Sequence, residues 1–500
     1  MKIPSDKIKT IAKHDLRHEL KQRLKSKDNR LGLITSIDGE QVLTLVLDCA
    51  DKTAELWQSD LEGASEYPAV SPVVPQAHWF ERRLKDLFHI EPTGHPRLKS
   101  TFTEQAFDSH LAPLSIDKKR LASNNRDFSF LNVEGKGVYE LPVGPVHAGI
   151  IEPGHFRLSC QGEVIQNLEV RFGYLHRGVE KRLTEIPWRM SRHLCEQAAS
   201  DTTAANALAN ALALESLLEI DISETACRAR TIALEIERLA MHIADVGGMA
   251  VDLGIAAEAS TLSRLRGQAL RMAELLSGSR FLKGFICPGG ISVNSDFACE
   301  KTRTALKNVL AELSPALYEV LHTFTDNTYV QERLENTGKI PHSLAEEFGL
   351  VGPAARASGI AYDTRITFNQ ALYKDSLQEP ALQKSGDALA RTLVRVKEIE
   401  TSIVILEKLL EESLDDAASL TALPEALPAD SFGIAIVEAF RGELIHLIAT
   451  DSIGTLRRYA IKDPSLNNWT AMAIAARNEL IADFPVCNKS FSLSYSGHDL

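Results

Sequence analysis

Residues 144–181, GPVHAGIIEPGHFRLSCQGEVIQNLEVRFGYLHRGVEK, decide how this chain is read. They gather His147, Glu152, His155, His176, Arg177, Glu180 and Lys181 among glycines, with Pro145 and Pro153 between them. Glycine and proline at this density specify a tight loop rather than a regular element. Within the stretch, residues 155–175 hold two strand-like runs around Gln161-Gly162-Glu163. A Glu-Pro-Gly-His turn can present a carboxylate and an imidazole to one pocket, which suits proton relay or general acid–base work. A buried ion-pair cluster at the mouth of a domain collects the same residue types, so composition leaves both readings open.

Upstream, GLITSIDGEQVLTLVLDC (32–49) alternates β-branched and apolar residues around Asp38-Gly39, a hairpin signal. FERRLKDLF (80–88) reads as a short helix, and residues 1–30 as an amphipathic, strongly basic helix. The polar stretch that includes Ser123-Asn124-Asn125-Arg126-Asp127 places a linker at 121–135, between regions 1–120 and 136–500. Downstream, helical period dominates. Ile232, Ile236, Leu239, Ile243 and Val246 share one helix face, as do Leu306, Val309, Leu310, Leu313, Leu317 and Leu321, with a kink expected at Pro315. Leu393, Val396, Ile399, Ile403, Leu406 and Leu410 form a third stripe. These stripes read as core faces, and His242, one turn after Leu239, as a core histidine.

The chain has 500 residues, 55 Lys and Arg against 67 Asp and Glu, and a net charge of −12. That balance excludes nucleic acid as the main partner, because phosphate contact needs clustered positive charge. Seven cysteines, none in C-x-x-C spacing, argue against a disulfide framework and for a reducing compartment. The first 30 residues carry no apolar signal region, and no uncharged apolar run reaches the ~18 residues that span a bilayer. The expectation is a cytoplasmic chain that meets a membrane only through partners. P-loop, G-x-S-x-G and G-x-G-x-x-G patterns are absent, so any nicotinamide chemistry belongs to another subunit.

GPVHAGIIEPGHFRL followed by GYLHRGVEK resembles the opening of the large subunit of group 4 [NiFe]-hydrogenases, of which formate hydrogenlyase is an example, and of the 49 kDa-type subunit of respiratory complex I. The resemblance continues through ALEIERLAMHIADVGGMAVDLG (233–254), LSGSRFLKGFICPGG (276–290), GLVGPAARASGIAYDTR (349–365), VEAFRGELIHL (437–447) and KDPSLNNW (462–469). FERRLKDLFHIEPTGHPRL (80–98) is similar to the 30 kDa-type subunit of complex I, with His89 and His95 as turn residues. The implied fold is α+β: a small N-terminal α+β domain, then a large, mainly α-helical domain.

The departures from the family pattern bear on function. In the hydrogenases, nickel and iron sit between two C-x-x-C pairs, as a soft metal site requires. In register with the first pair stand Ala199 and Thr202, and with its following histidine, Asn206; the second pair is replaced by Ser494 and Gly497. Cys195 and Cys487 are near these positions but out of register. The resemblance therefore implies no metal site and no processing of a C-terminal extension. Other pocket elements persist. Glu152 and His155 match a Glu-x-x-His-like element along the hydrogenase proton exit. Arg441 matches an arginine that overhangs the metal, with Phe440 in place of the usual proline, and Asp201 and Asp463 add carboxylates, which either serve a ligand or pair with Arg441 as a salt network. In complex I the equivalent cavity holds a quinone headgroup between a His and a Tyr. His155 matches the first, and Asp201 stands at the tyrosine's register. The resemblance implies a large peripheral subunit of a redox complex on the inner face of the cytoplasmic membrane. Electrons would come from an iron–sulfur small subunit, quinone is the acceptor the related subunit uses, and antiporter-like membrane subunits would couple the step to ion movement. The alternative is an inert structural or coupling scaffold.

Overall fold

The computed structural model describes the chain except for residues 103–112, 116–128, 148–150, 293–296, 298, 369–372, 374–375 and 412–419. The Ser123–Asp127 run and most of the expected linker lie outside the described residues. The fold is α+β.

The N-terminal region opens with two short strands, β1 (Lys2–Pro4) and β2 (Lys9–Thr10). Helix α1 spans only Leu16–Arg23, not the whole of 1–30. Its apolar stripe is two residues, Leu16 and Leu20, both fully buried. Ile3 instead pairs with Phe432, and Ile11 packs beside the Lys9–Thr10 strand, so strand partners claim what a long helix would have used. The hairpin forms as β3 (Asn29–Thr35) and β4 (Gln41–Asp48), extended by β5 (Thr53–Asp60). Its turn is fixed by Ser36 Oγ, which accepts from the Gly39 amide at 2.9 Å, with Gly39 at φ 100°. Helix α2 (His78–Phe88) carries FERRLKDLF. Its buried Glu81 accepts from Tyr67 Oη at 2.8 Å and from the amides of Val70 and Ser71 at 2.5 and 3.0 Å. Both carboxylate oxygens of Glu81 are thereby satisfied as they tie the helix to residues 67–71.

The stretch 144–181 is more regular than its glycine content suggests. Strands β6 (Val138–Val143), β7 (His155–Gln161) and β8 (Val164–Arg171) form an antiparallel sheet, and α3 spans Val179–Glu185. Phe156, Leu158 and Cys160 alternate into the core, and that period outweighs the flanking glycines. Long helices follow: α4 (Thr203–Leu218), α5 (Glu224–Asp252), α6 (Ala256–Ser277), α7 (Glu300–Thr325, continuing through Pro315) and α8 (Ala388–Glu411). The three predicted stripes lie on α5, α7 and α8 and are buried, except Leu393, which is half-buried. Last come β9 (Ser431–Ala439), β10 (Gly442–Thr450) and β11 (Leu456–Lys462), then α9 (Ser465–Ala475) and α10 (Tyr495–His498).

The last sheet has the order β1-β9-β10-β11, so the first residues of the chain supply its edge. Every residue of β9 and β10 is buried, because α4 packs on the sheet. Gly433 permits that approach: a Cβ there would lie 2.5 Å from the Ala213 carbonyl oxygen. Glu180 on α3 joins Arg83 of α2 at 3.2 Å to Arg458 of β11 at 2.8 Å, tying the N-terminal region to the C-terminal sheet.

Candidate functional site

The site is built on the β9–β10 hairpin. Ala439 pairs with Gly442, so Phe440 and Arg441 form a two-residue loop. The loop rests against Gly352, where a Cβ would fall 1.9 Å from the Arg441 carbonyl oxygen; only glycine admits this contact. The guanidinium lies over the Phe440 ring, 4.3 Å from its centroid. The Phe440 that replaces the family's proline therefore acts as a platform for Arg441.

Arg441 grips Asp201, in the loop that leads into α4, with Nη1 and Nη2 donating to Oδ1 and Oδ2 at 2.8 and 2.6 Å. Nη1 also reaches Thr202 Oγ1 at 3.3 Å, and Nε donates to the Ser492 carbonyl. Burial alone would raise the Asp201 pKa, but the fork–fork contact with Arg441 holds it below the usual carboxylate range. Arg441 is pushed the other way, above its ordinary value, since its buried charge is met by Asp201. Asp201 keeps 36% of its side chain exposed, against 8% for Arg441, so solvent reaches the pair from the Asp201 side. A small recess with room for little more than a water molecule opens there; Ser200, Asp201, Thr203 and Glu237 line it together with apolar side chains such as Ile236 and Met241.

Behind the pair stands Asp245 of α5, which accepts from Ser492 Oγ at 2.5 Å and Arg395 Nε at 3.0 Å. Despite burial, its surroundings of His242, Arg395 and Arg441 pull its pKa to about 2. His242, one turn before Asp245, places Nε2 2.9 Å from Glu398 Oε2. Glu398 in turn binds Arg356 at 2.6 Å and Arg238 at 3.3 Å. His242 is thus a buried core residue, held at Nε2 by Glu398, within an ionic lattice. Asp245 and Glu398 were not singled out from the sequence. The signal available for Asp245 was its position three residues after His242 on one helix face.

Ser494 begins α10 and its Oγ accepts from the Gly497 amide at 2.9 Å. Glu152 Oε2 accepts from the Ser496 amide at 3.0 Å, and Gly154 approaches the Tyr495 ring so closely that a Cβ would lie 2.5 Å away. The Glu-Pro-Gly-His turn therefore docks on α10. His155 does not join Glu152 there. Phe156 occupies the core side of β7, so the alternation along the strand turns His155 to the other face. Its Nδ1 is 3.1 Å from the Gly144 carbonyl oxygen and its Nε2 3.4 Å from Arg157 Nε, with the Phe130 ring centroid 5.4 Å away. Burial lowers its pKa. The structure thus brings together Asp201, Thr202, Arg441, Ser494 and Gly497, attaches Glu152 through α10, and sets His155 apart.

The residues at the positions that the resemblance assigns to the nickel ligands carry no thiol. Ala199 is a fully buried methyl group, Thr202 is engaged by Asp201 and Arg441, Ser494 caps α10, and Gly497 has no side chain. The two nearby thiols cannot substitute. Cys195 lies 3.4 Å from Tyr459 Oη, while Cys487 is packed against Gly338 and Arg391. Burial pushes both to about 12, so neither is a thiolate. Among the described residues, no group of three or more His, Cys, Asp or Glu is arranged to hold a metal ion, and no helix is long and apolar enough to cross a membrane.

Comparison with known proteins agrees with this architecture. Residues 5–122 match the family model of the respiratory-chain NADH dehydrogenase 30 Kd subunit, and residues 252–431 that of the 49 Kd subunit. Formate hydrogenlyase subunit 5 of Escherichia coli (strain K12) is 28% identical, covering 87% of this chain and 77% of the relative. The fused C/D polypeptide of the NADH-quinone oxidoreductase of Phocaeicola vulgatus is 27% identical, covering 84% of each. A chain of the membrane-bound sulfane sulfur reductase (MBS), an archaeal respiratory membrane complex, superposes with a TM-score of 0.69 at 26% identity, covering 73% of this chain and 99% of that one.

Proposed function

Since this chain belongs to the family of complex I-type and hydrogenase-related large subunits, with a 30 kDa-type region fused to a 49 kDa-type region, we propose that it is the peripheral redox subunit of a membrane-bound respiratory complex and carries no nickel–iron centre. One observation supports the reading: Arg441 is paired bidentately with Asp201, and the positions that the resemblance assigns to the metal ligands hold Ala199, Thr202, Ser494 and Gly497. The pocket retains a fixed cation and acids, the groups needed to hold a polar acceptor and supply protons, but not soft ligands.

Electrons come from an iron–sulfur cluster in a partner protein, and no cofactor resides in this chain. Membrane subunits of the antiporter type hold it at the inner face of the cytoplasmic membrane and couple the redox step to ion movement. The acceptor takes two electrons and two protons. A quinone, as used by the NADH-quinone relatives, would have to do without the His–Tyr clamp, since His155 faces away and Asp201 stands at the tyrosine's register. A sulfur–sulfur bond, the substrate class named for the sulfane sulfur reductase, needs no such clamp.

The test uses the whole complex, purified with Arg441→Ala or Asp201→Asn. Turnover with polysulfide and with a soluble quinone is measured beside the stoichiometry of the subunits and elemental nickel. The expected result is normal assembly, no stoichiometric nickel, and turnover at least about tenfold lower in both variants. Stoichiometric nickel refutes the reading. The complete pairing of Arg441 in the resting structure favours a second reading, an inert coupling scaffold. Full turnover in both variants would establish that reading instead.

A further inference from the structure

We propose that Asp463 is the proton-donating acid of the Arg441 pocket, seated in the space that a side chain at position 497 would otherwise fill. The inference rests on the redox reading of the pocket given above. A Cβ built on Gly497 would lie 2.4 Å from both the carboxyl carbon and Oδ2 of Asp463. Aspartate at 463 and glycine at 497 are therefore one arrangement: the carboxyl group stands where the family's last cysteine would project. It is 2% exposed, and its Oδ1 accepts from the Ser465 amide at 2.8 Å. Ser465 Oγ in turn accepts from the Ser494 amide at 2.9 Å, which fixes the acid against α10.

Among the described residues, the surrounding charges leave this carboxyl without a counter-ion of its own. Arg441, the nearest cation, is engaged bidentately by Asp201. Lys462, the preceding residue on β11, is held by Glu443. Asp245, on the α5 side of Arg441, is matched by Arg395. An ionised Asp463 would be an unpaired buried charge, which a protein avoids by keeping the group neutral. Burial raises its pKa accordingly, with Arg441 opposing.

During turnover, two electrons from the partner's iron–sulfur cluster enter the acceptor. Asp463 gives its proton to one of the reduced atoms and becomes a carboxylate. The second proton comes from solvent on the exposed side of Asp201. A sulfur–sulfur bond thus becomes two thiols, or a quinone its quinol, and solvent then reprotonates Asp463.

The decisive experiment is the pH profile of turnover in intact complexes carrying Asp463→Asn, Asp463→Glu or Arg441→Ala, with reduction of the iron–sulfur clusters followed optically. Asp463→Asn is expected to assemble, to reduce its clusters at the normal rate, to lose at least tenfold in turnover, and to lose the alkaline limb of the profile. Unchanged turnover and profile in Asp463→Asn, beside an inactive Arg441→Ala, overturns the proposal and leaves the redox reading standing. Full activity in Arg441→Ala overturns the redox reading itself. If Asp463→Asn does not assemble, Asp463→Glu decides, because it keeps a proton but moves it: a displaced alkaline limb supports the proposal and an unmoved one refutes it.

Discussion

Removing the central pair one side at a time yields a quantitative prediction. Taking one partner from a buried ion pair costs about 3–5 kcal/mol, because the other charge is stranded. Asp201 keeps 36% of its side chain exposed, so after Arg441→Ala water recovers part of that loss and the cost falls to about 2 kcal/mol. Asp201→Ala leaves a guanidinium that is 8% exposed, with the Thr202 hydroxyl and the Ser492 carbonyl as its remaining acceptors among the described residues, and costs about 3 kcal/mol. The double variant strands neither charge, so the costs do not add, and the coupling is about 2 kcal/mol. Hydrogen–deuterium exchange of peptides spanning 198–206 and 436–445 in the intact complex reads this as local opening, with about thirtyfold faster exchange in Arg441→Ala. The pH dependence has a definite sign. The folded pKa of Asp201 is depressed, so its contribution is fully present above the ordinary carboxylate value of about 3.9 and is lost as pH falls through the folded pKa. Protection of these peptides is therefore flat from neutral to about pH 5 and drops below the ordinary value. Single-variant effects that multiply in the double to within a factor of about two would refute the coupling.

Gly352→Ala, far from the pocket in sequence, is expected to push the Phe440–Arg441 loop off its seat, since the new Cβ would lie 1.9 Å from the Arg441 carbonyl oxygen at a φ of 65°. Turnover should fall as in Arg441→Ala while the subunits still assemble. Glu398→Gln removes the carboxylate shared by Arg356 and Arg238, which keep Glu438 and Glu235, and should cost about 1.5–3 kcal/mol, seen as a shortened half-life of thermal inactivation; a wild-type half-life would disprove the role of the lattice. Burial pushes Glu237 up to about 8, so its proton stabilises the fold at low pH and that contribution is lost as pH rises from the ordinary glutamate value through about 8. Glu237→Gln should flatten the decline of melting temperature over that range, although the variant still has to accept from the Ala204 and Ala205 amides.

Much of this architecture was legible because its signals are local. The stripes of α5, α7 and α8, the Asp38-Gly39 turn and the two strands around Gln161-Gly162 each follow from spacing within a few residues. What could not be read depends on partners distant in sequence. Lys2–Pro4 and Lys9–Thr10 are extended because strands at 431–433 and 57–58 accept them, and no periodicity within 1–30 contains that information. The site divides in the same way. A salt network of Arg441 with the pocket aspartates was one of the two readings, but which aspartate it grips depends on segments 240 residues apart. Glu152 and His155 looked like one element because they are three residues apart, but strand alternation sends His155 to the opposite side from Phe156. The carboxylate of Asp463 in the space beside Gly497 has no sequence signature at all, since it depends on two loops meeting.

The edge strand that the first residues lend to the final sheet has a consequence for how such proteins are made. Lys2–Pro4 is made more than 400 residues before its partner, so the closing of that sheet waits until residues 431–433 have been synthesised. Had the two halves been separate polypeptides, the same strand pairing would be a bimolecular docking step dependent on the abundance of each. In one polypeptide it is an intramolecular closure at fixed one-to-one stoichiometry, and neither half can accumulate in the cell without the other.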